Sequence, residues 1–294
     1  MLRCNRLHFL IVLFPALLAA QGPWDQTFPK DVPAPEGFRE NRTTYSALME
    51  LMRPKRTGVS DAQLETLSEF QLEAVWGAMG DYRETNFVRG FQSTQPGKRL
   101  VGRALTIRFL PFRKDLDAAA RELAKEGDWD RRFYIRAGEE AKPGDVVVVD
   151  LGGTEGNIFF GDVTALGIAL RGAKGVIIDG GTRDLAELSD EPFKDFPVFA
   201  RFFDVNPARW VGAEWNVPIR VGSATVLPGD IVVADAEGIL FVPPDIVAGV
   251  IESAVERKKR EDYERDLLRQ KKYRVRDVYP LHPELRKKYE EQQK

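Results

Sequence analysis

Continuous apolar runs alternate with helical periodicity through the middle of the chain. Four consecutive valines follow the turn Pro143-Gly144-Asp145, and a second apolar run, GVII, spans 175–178. Such runs are typical of strands that are buried on both faces. Between them, Val163, Leu166 and Leu170 recur at a spacing that puts them on one face of a helix. The pattern predicts a βαβ unit with parallel strands and a right-handed crossover.

The flanking segments complete an α/β pattern. Helical periodicity runs from Thr43 to about Gly80, with Ser60 and Asp61 as cap candidates, and the alternating residues 100–110 predict a strand. DLDAAARELAKEGD predicts a short amphipathic helix that ends near Gly127. Further short strands are expected in FPVFAR, VPIRV, ATVLPGDIVVAD and GILFVP, and one long helix in 244–268, followed by a loop in VYPLHPEL.

One turn occurs twice. LPGDIVVAD nearly repeats KPGDVVVVD, which lies eighty-five residues earlier. We interpret this as one type of turn used twice before a buried strand. Asp145 and Asp230 are therefore expected to be structural residues.

The first twenty residues differ from the rest. Two arginines, an apolar run and small residues follow one another, which is the pattern of a secretory signal. The run is shorter than the roughly 20 residues of a membrane anchor. We expect cleavage near Ala20 and export to the periplasm or the exterior, with no membrane attachment afterwards. The predicted organisation is a signal peptide (1–20), an extended leader (21–40), an α/β domain (41–261) and a charged helical tail (262–294).

Composition narrows the chemistry. The 294 residues include 43 Lys and Arg against 45 Asp and Glu, so the net charge of −2 gives no electrostatic footprint for nucleic acid. Cys4 and His8 lie in the signal, which leaves His282 as the one histidine of the mature chain. We expect it to be a surface residue. Catalysis would then depend on carboxylates, Arg, Lys, hydroxyls or a metal.

Two short motifs follow the buried strands. Gly161-Asp162 begins the predicted helix, and Arg183-Asp184 comes after the second strand. The carboxyl ends of parallel strands share one edge of a sheet, where ligands bind. An arginine can clamp a carboxylate, and aspartates are hard ligands for Mg²⁺ or Mn²⁺. Taken singly, the first motif is an ordinary helix cap and the second a loop salt bridge. Their order and spacing together favour a site.

The stretches GDVVVVDLGG, FFGDVTALGIALRGAKGVIIDGGTRD, FPVFARFF and VPIRVGSATVLPGDIVVADAEGILFVP resemble the RraA-like family. That family includes metal-dependent 4-hydroxy-4-methyl-2-oxoglutarate aldolases and the regulator of ribonuclease E activity A. The resemblance spans about 64–261. It implies an α/β fold, an RraA-like αββα sandwich with a mixed or parallel central sheet, here with a C-terminal helical tail. It also implies homotrimers or hexamers with sites between subunits.

The resemblance also implies residue roles. Arg183 would bind the carboxylate and carbonyl of a pyruvyl group and stabilise its enolate, and Asp184 would be the ligand of Mg²⁺ or Mn²⁺. Asp162 would orient a metal-bound water for proton transfer. Backbone groups of one loop would hold the substrate carboxylate, namely those of Gly161, Asp162, Val163 and Thr164. A neighbouring subunit would complete the metal site with Glu256 or Glu261.

The leading hypothesis is therefore a metal-dependent aldolase that cleaves a 4-hydroxy-2-oxo acid to pyruvate, with oxaloacetate decarboxylation as a side activity. Both reactions pass through the same enolate. Retention of Asp184 favours this branch, because the regulator branch lacks that aspartate. The alternative is a non-catalytic oligomeric binding protein. A methyltransferase is disfavoured because no G-x-G-x-x-G loop follows a strand. Phe159 and Phe160, beside the motifs, could be core residues or shape a pocket.

Overall fold

The computed structural model describes residues 52–53, 58–125, 132–206 and 210–293. The chain divides into two units, Met1–Leu48 and Met49–Lys294, and all the described residues belong to the second. The predicted signal, the leader, the helical pattern over 43–51 and Gly127 lie outside the described residues. No helix in the described ranges is both long and apolar enough to cross a membrane.

Helices and strands alternate through the central part of the unit. The α-helices of the described residues are α1 Asp61–Ser68, α2 Leu72–Ala78, α3 Lys114–Lys125, α4 Phe133–Glu140, α5 Asp162–Leu170, α6 Leu185–Leu188, α7 Val247–Arg269, α8 Val275–Val278 and α9 Pro283–Gln292. The strands are β1 Phe87–Val88, β2 Gln92–Ser93, β3 Leu100–Pro111, β4 Asp145–Asp150, β5 Gly175–Thr182, β6 Val198–Phe203, β7 Trp210–Trp215, β8 Ile219–Val221, β9 Ala224–Val226, β10 Ile231–Asp235 and β11 Gly238–Val242.

Within the described residues, nine strands form one mixed sheet. Its order is β1-β11-β10-β3-β4-β5-β6-β2, and β7 pairs with the second half of β3. β3, β4, β5 and β6 are parallel, and for β4 and β5 this confirms the predicted βαβ unit. β1 and β2 lie at opposite ends of this order, yet only residues 89–91 separate them. Because so short a link spans little distance, the sheet must curl until its two ends are close.

The curled sheet encloses one core and carries helices on its outer surface. Val146, Val148 and Ile177 point inward and meet Phe199, Phe241 and the β8–β9 hairpin. On the outside, α4 and α5 cover β4 and β5, while α1, α2 and α7 cover β10 and β11. The layers are helix, sheet, sheet and helix, so the predicted αββα arrangement is confirmed.

Helix α5 packs on the sheet through the face that carries Ala165 and Ile168. Ala165 and Ile168 are fully buried, whereas the exposed fractions of Val163 and Leu170 are 79% and 78%. The apolar face predicted from Val163, Leu166 and Leu170 therefore exists, but it points away from the core of this chain. An exposed apolar face of this kind is typical of a surface that contacts another protein chain.

The repeated turn is structural at both positions. Gly144 and Gly229 adopt φ values of +83° and +91°, which favour glycine. The carboxylate of Asp145 accepts a hydrogen bond from Lys142 N at 2.9 Å, and that of Asp230 accepts one from Leu227 N at 2.8 Å. Each aspartate thus closes its own turn, and the prediction for both residues is confirmed.

At the two ends of the described unit, the sequence pattern predicted some helix boundaries correctly and others wrongly. Ser60 caps α1 in a capping box with Gln63, as expected for a cap candidate. The helical pattern is broken after Ser68, however, so α1 and α2 are separate helices. At the other end, the predicted loop VYPLHPEL is partly helical, and His282 is exposed at the start of α9.

Candidate active site

The loop before α5 is tied to the end of β5. Ile158 forms a parallel bridge with Gly181. Phe159 N donates to Gly181 O at 3.0 Å, and Gly181 N donates to Asn157 O at 2.8 Å. This pairing brings the start of α5 against the residues that follow β5. The two motifs predicted to converge, Gly161-Asp162 and Arg183-Asp184, are therefore in contact.

Asp184 connects the two motifs through one oxygen. Its Oδ2 accepts a hydrogen bond from Asp162 N at 3.1 Å and another from Arg183 Nε at 3.3 Å. The backbone of Asp184 is left-handed, with φ 59° and ψ 43°. Strained backbone of this kind clusters at functional sites, and Asp is among the residues that tolerate it.

Gly161 leaves room for the pair. A Cβ at this position would lie 2.6 Å from Arg183 Nε and closer still to Asp184 Oδ2. The backbone of Gly161 is extended, with φ −127° and ψ −169°, which any residue can adopt. The glycine is thus required by space and not by backbone conformation.

The pair keeps free binding capacity. The side chains of Arg183 and Asp184 are 47% and 31% exposed. Within the described part of the chain, their hydrogen bonds engage only Nε of the guanidinium and Oδ2 of the carboxylate. The terminal nitrogens of Arg183 can still clamp an anion, and Oδ1 of Asp184 can still bind a cation. A salt bridge with a purely structural role would not require these free donor and acceptor atoms.

A cavity of about 580 Å³ opens beside Arg183. Gly161 and Thr164 form part of its wall, together with many aromatic residues. The lining includes Phe109, Phe112, Tyr134, Phe159, Phe160 and Trp210, and also Asp117, Arg121 and Arg132. Phe159 and Phe160 are buried and lie edge to face at 5.1 Å. Both residues therefore belong to the core and also shape the cavity, so the two roles expected for them do not exclude each other.

Asp162 and Val163 lie next to the cavity but face another groove. That groove is also lined by Glu187 and Asp190. The backbone N–H of Asp162 contacts Asp184, and Asp162 lines this second groove and not the aromatic cavity. The structure thus brings Gly161, Thr164 and Arg183 to the cavity. Asp184 is joined to this group by hydrogen bonds from Arg183 Nε and Asp162 N.

The donor set fits a hard divalent cation. No group of three or more His, Cys, Asp or Glu side chains that could hold a metal occurs in the described ranges. Asp184 offers carboxylate oxygens, and Asp162 adjoins it through its backbone N–H. Mg²⁺ is commonly held by one or two carboxylates while it keeps several waters. The residues present therefore fit Mg²⁺ or Mn²⁺, and further ligands would have to come from elsewhere.

The two predicted glutamates lie in another layer of the molecule. Glu256 pairs with Lys259 at 3.0 Å, and Glu261 accepts from Arg257 at 2.9 Å and from Arg265 at 2.7 Å. Burial acts to raise the pKa of Glu261, but the two arginines outweigh it and the pKa is lowered. Both residues belong to α7, which packs on α1 and α2. Their contribution to the site of a neighbouring subunit stays a prediction.

Sequence reasoning missed the residues that form the far side of the cavity. Arg132 precedes α4, and Trp210 begins β7, a strand that the pattern did not predict. Gly152, at φ +71°, lets the indole of Trp210 approach, since a Cβ there would lie 2.6 Å from its ring. These segments are distant in sequence from the two motifs, and no local signal links them.

Comparison with known sequences identifies relatives. The family model described as RraA-like, Aldolase/RraA, matches residues 57–241, well over half of the chain. A protein of Halalkalibacterium halodurans, provisionally named a 4-hydroxy-4-methyl-2-oxoglutarate aldolase, is 33% identical over 141 residues, which are 46% of this chain and 62% of that protein. The chain thus spans less than two thirds of this relative. The 4-hydroxy-4-methyl-2-oxoglutarate aldolase of Thermus thermophilus is 31% identical over 114 residues, 39% of this chain and 68% of that protein.

Solved structures share the fold. An uncharacterized protein from Pseudomonas syringae aligns with a TM-score of 0.64 at 20% identity, over 78% of this chain and 97% of that one. Streptomyces coelicolor RraAS2, described as an unusual member of the RNase ES inhibitor RraA protein family, aligns with a TM-score of 0.60 at 23% identity, over 72% and 98%. Together with the family match over 57–241, these findings show that the chain belongs to the RraA-like family.

Proposed function

We propose that this protein is a divalent-metal-dependent aldolase that cleaves a 4-hydroxy-2-oxo acid and releases pyruvate, with oxaloacetate decarboxylation as a second activity. One observation carries the proposal. Gly161 leaves space that the Arg183–Asp184 pair fills, and the pair retains free donors and a free acceptor beside a cavity. The names of the aldolases among its relatives support a lyase.

Arg183 would bind the 2-oxo acid and stabilise the charge that develops on it. Its free terminal nitrogens suit a bidentate contact with a carboxylate or an enolate oxygen. The first N–H groups of α5 have no partner within the helix, so those of Val163 and Thr164 can donate to the substrate carboxylate. These donors and Arg183 would hold the pyruvyl half from two sides.

Asp184 would hold the metal, with Asp162 next to it. When bound, a divalent ion would polarise the 2-oxo group of the substrate. In the retro-aldol reaction the C3–C4 bond breaks, the 4-hydroxyl loses its proton, and C3 gains one. The carboxylate of Asp162 is the group of this chain that would exchange those protons with solvent.

The exposed apolar face of α5 supports assembly into a homotrimer or hexamer. Val163 and Leu170 are largely exposed, and Leu185, the residue after Asp184, is exposed too. Burial of this patch against another copy would position each site at a subunit boundary, where Glu256 or Glu261 could reach it. Export, supported by the apolar run of the first twenty residues, would be tested by fractionation of the producing cells.

The test is pyruvate release from oxaloacetate and from 4-hydroxy-4-methyl-2-oxoglutarate, with Mg²⁺, with Mn²⁺ and with chelator, after subtraction of the metal-only rate. Arg183→Ala and Asp184→Ala are each expected to lower kcat/KM by about 10²-fold or more. Lys174→Ala, an exposed residue before the opposite end of β5, is the control and should match the wild type. A folded protein with no turnover under any metal would favour the non-catalytic binding protein instead.

A further inference from the structure

The cavity beside Arg183 is larger and more aromatic than a pyruvyl group needs. Pockets of roughly 300–1,000 Å³ enclose drug-sized molecules, and this one has about 580 Å³. Phe109 and Phe159 form a rigid part of the wall, because their rings lie edge to face at 5.7 Å. Trp210 and Tyr134 continue this wall, and Phe112 lies exposed at the rim. A planar apolar group matches such a surface.

Arg132 supplies a second cation to the same cavity. Its Nε is buried and has no hydrogen-bond partner among the residues that the structure describes. Its backbone is fixed, since its carbonyl accepts from Ile135 N at 2.8 Å and from Arg136 N at 3.0 Å. A buried donor without a partner costs free energy unless a ligand satisfies it. Arg132 also lines the cavity, so a carboxylate there can pair with its guanidinium and offset part of this cost.

The other arginine of the wall is already engaged. Arg121 Nε donates to Asp117 Oδ2 at 2.7 Å, so its charge is balanced within α3. Asp117 lines the cavity as well, so a ligand carboxylate near Arg121 would also meet that aspartate. Arg132 forms no ion pair within the described ranges, and Arg183 keeps its terminal nitrogens free beside the cavity. We therefore assign these two arginines to a ligand. The aromatic wall forms much of the remaining surface of the same cavity.

We propose that the cavity selects 2-oxo acids whose second half is an aromatic ring ending in a carboxylate, with Arg183 on the 2-oxo acid and Arg132 on the distal carboxylate. This inference rests on the proposed function for the role of Arg183. The corresponding reaction cleaves 4-(4-carboxyphenyl)-4-hydroxy-2-oxobutanoate. The C3–C4 bond breaks, the hydroxyl proton leaves, C3 gains a proton, and the products are pyruvate and 4-carboxybenzaldehyde.

Binding can be measured without turnover. Three analogues that lack the 4-hydroxyl cannot be cleaved: 2-oxobutanoate, 2-oxo-4-phenylbutanoate and 4-(4-carboxyphenyl)-2-oxobutanoate. Their Kd values would be determined by calorimetry on the full chain, with and without Mg²⁺. We expect the phenyl group to tighten binding by about 10-fold or more, and the distal carboxylate to add about another 10-fold.

Arg132→Gln isolates the second effect. This variant should bind the two phenyl compounds equally, while it still binds 2-oxo-4-phenylbutanoate more tightly than 2-oxobutanoate. Arg113→Gln, at a surface arginine paired with Asp115 outside the cavity, should keep both preferences. If Arg132→Gln does not fold, Arg132→Lys serves instead, and it should lose most of the carboxylate effect because it lacks the guanidinium fork.

Two results would overturn the inference: equal affinity of the wild type for all three analogues, or an unchanged carboxylate effect in the Arg132 variants. Failure of the proposed function looks different. In that case the aryl analogues bind with the expected order, but neither the small oxo acids nor the carboxyphenyl aldol releases pyruvate. Conversely, pyruvate release from small oxo acids together with no preference for aryl analogues would leave the aldolase and remove the aromatic substrate class.

Discussion

Gly161→Ala tests whether the position of the Arg183–Asp184 pair determines activity. The substitution adds one carbon atom to a backbone that alanine adopts without strain, at φ −127° and ψ −169°. Its only direct consequence is steric. The new Cβ would lie 2.6 Å from Arg183 Nε and still closer to Asp184 Oδ2.

The size of the effect follows from these distances. Non-bonded heavy atoms pack at about 3.5 Å or more, so the pair must retreat by about 1 Å. A displacement of about 1 Å in a catalytic group can cost about 10²-fold in rate, which corresponds to about 2.7 kcal/mol of transition-state stabilisation. Stability should change less. The hydrogen bond from Asp162 N to Asp184 is worth about 1 kcal/mol, and alanine recovers part of this through the unfolded state.

The assay is kcat/KM for pyruvate release, coupled to NADH-dependent reduction, together with urea unfolding. Gly167→Ala is the matched control, because it makes the same change in α5 with only ordinary contacts, the nearest at 3.5 Å from Gly138 Cα. It should leave activity unchanged. If folded Gly161→Ala kept an activity within about threefold of the wild type, the position of the Arg183–Asp184 pair would not determine activity. An equal loss in Gly167→Ala would also refute it.

Two further predictions concern buried carboxylates. Burial raises the pKa of Asp230 to about 6, so the folded state keeps this proton to a higher pH than the unfolded state does. The free energy of unfolding should therefore fall by up to about 3 kcal/mol as the pH rises from about 4 to about 6, and then stay level. In urea unfolding at pH 4 to 7, Asp230→Asn should flatten this decline, whereas Asp145→Asn, in the equivalent but less buried turn, should not. An unchanged slope in Asp230→Asn would show that Asp230 does not cause the decline. Arg201→Met should cost about 3–5 kcal/mol of unfolding free energy, because Asp179 is 1% exposed and pairs with Arg201 Nε at 2.8 Å. Adding Asp179→Asn should recover part of that cost, and a loss below about 1 kcal/mol in Arg201→Met alone would show that the pair is not an essential buried contact.

Much of the fold could be predicted because its signals are local. The valine run of β4 and the GVII run of β5 are apolar on both faces, and their short length and β-branched residues favour a buried strand. The intervening helix and the parallel pairing follow from the length of the crossover. The Pro-Gly-Asp turns likewise carry their own chemistry, since glycine supplies the positive φ and the aspartate caps a backbone N–H within three residues.

Other elements escaped prediction because their stability comes from distant partners. β1 and β2 contain two residues each and exist only as edge pairings with β11 and β6. β7 forms on the second half of β3, with a register shift near Arg108. Such short, irregular strands have no periodicity of their own to detect.

The candidate site divides in the same way. The sequence by itself determined the identity and order of Gly161-Asp162 and Arg183-Asp184 and, through the βαβ pattern, the sheet edge at which they meet. The tertiary structure decided that the Arg183–Asp184 pair occupies the space where a Cβ of residue 161 would lie. It also decided that Val163 and Leu170 face outward, and that Arg132 and Trp210 share a cavity with Arg183. The physical reason is that local periodicity fixes which face of an element is apolar, whereas the neighbours of each side chain depend on how segments far apart in the chain pack together.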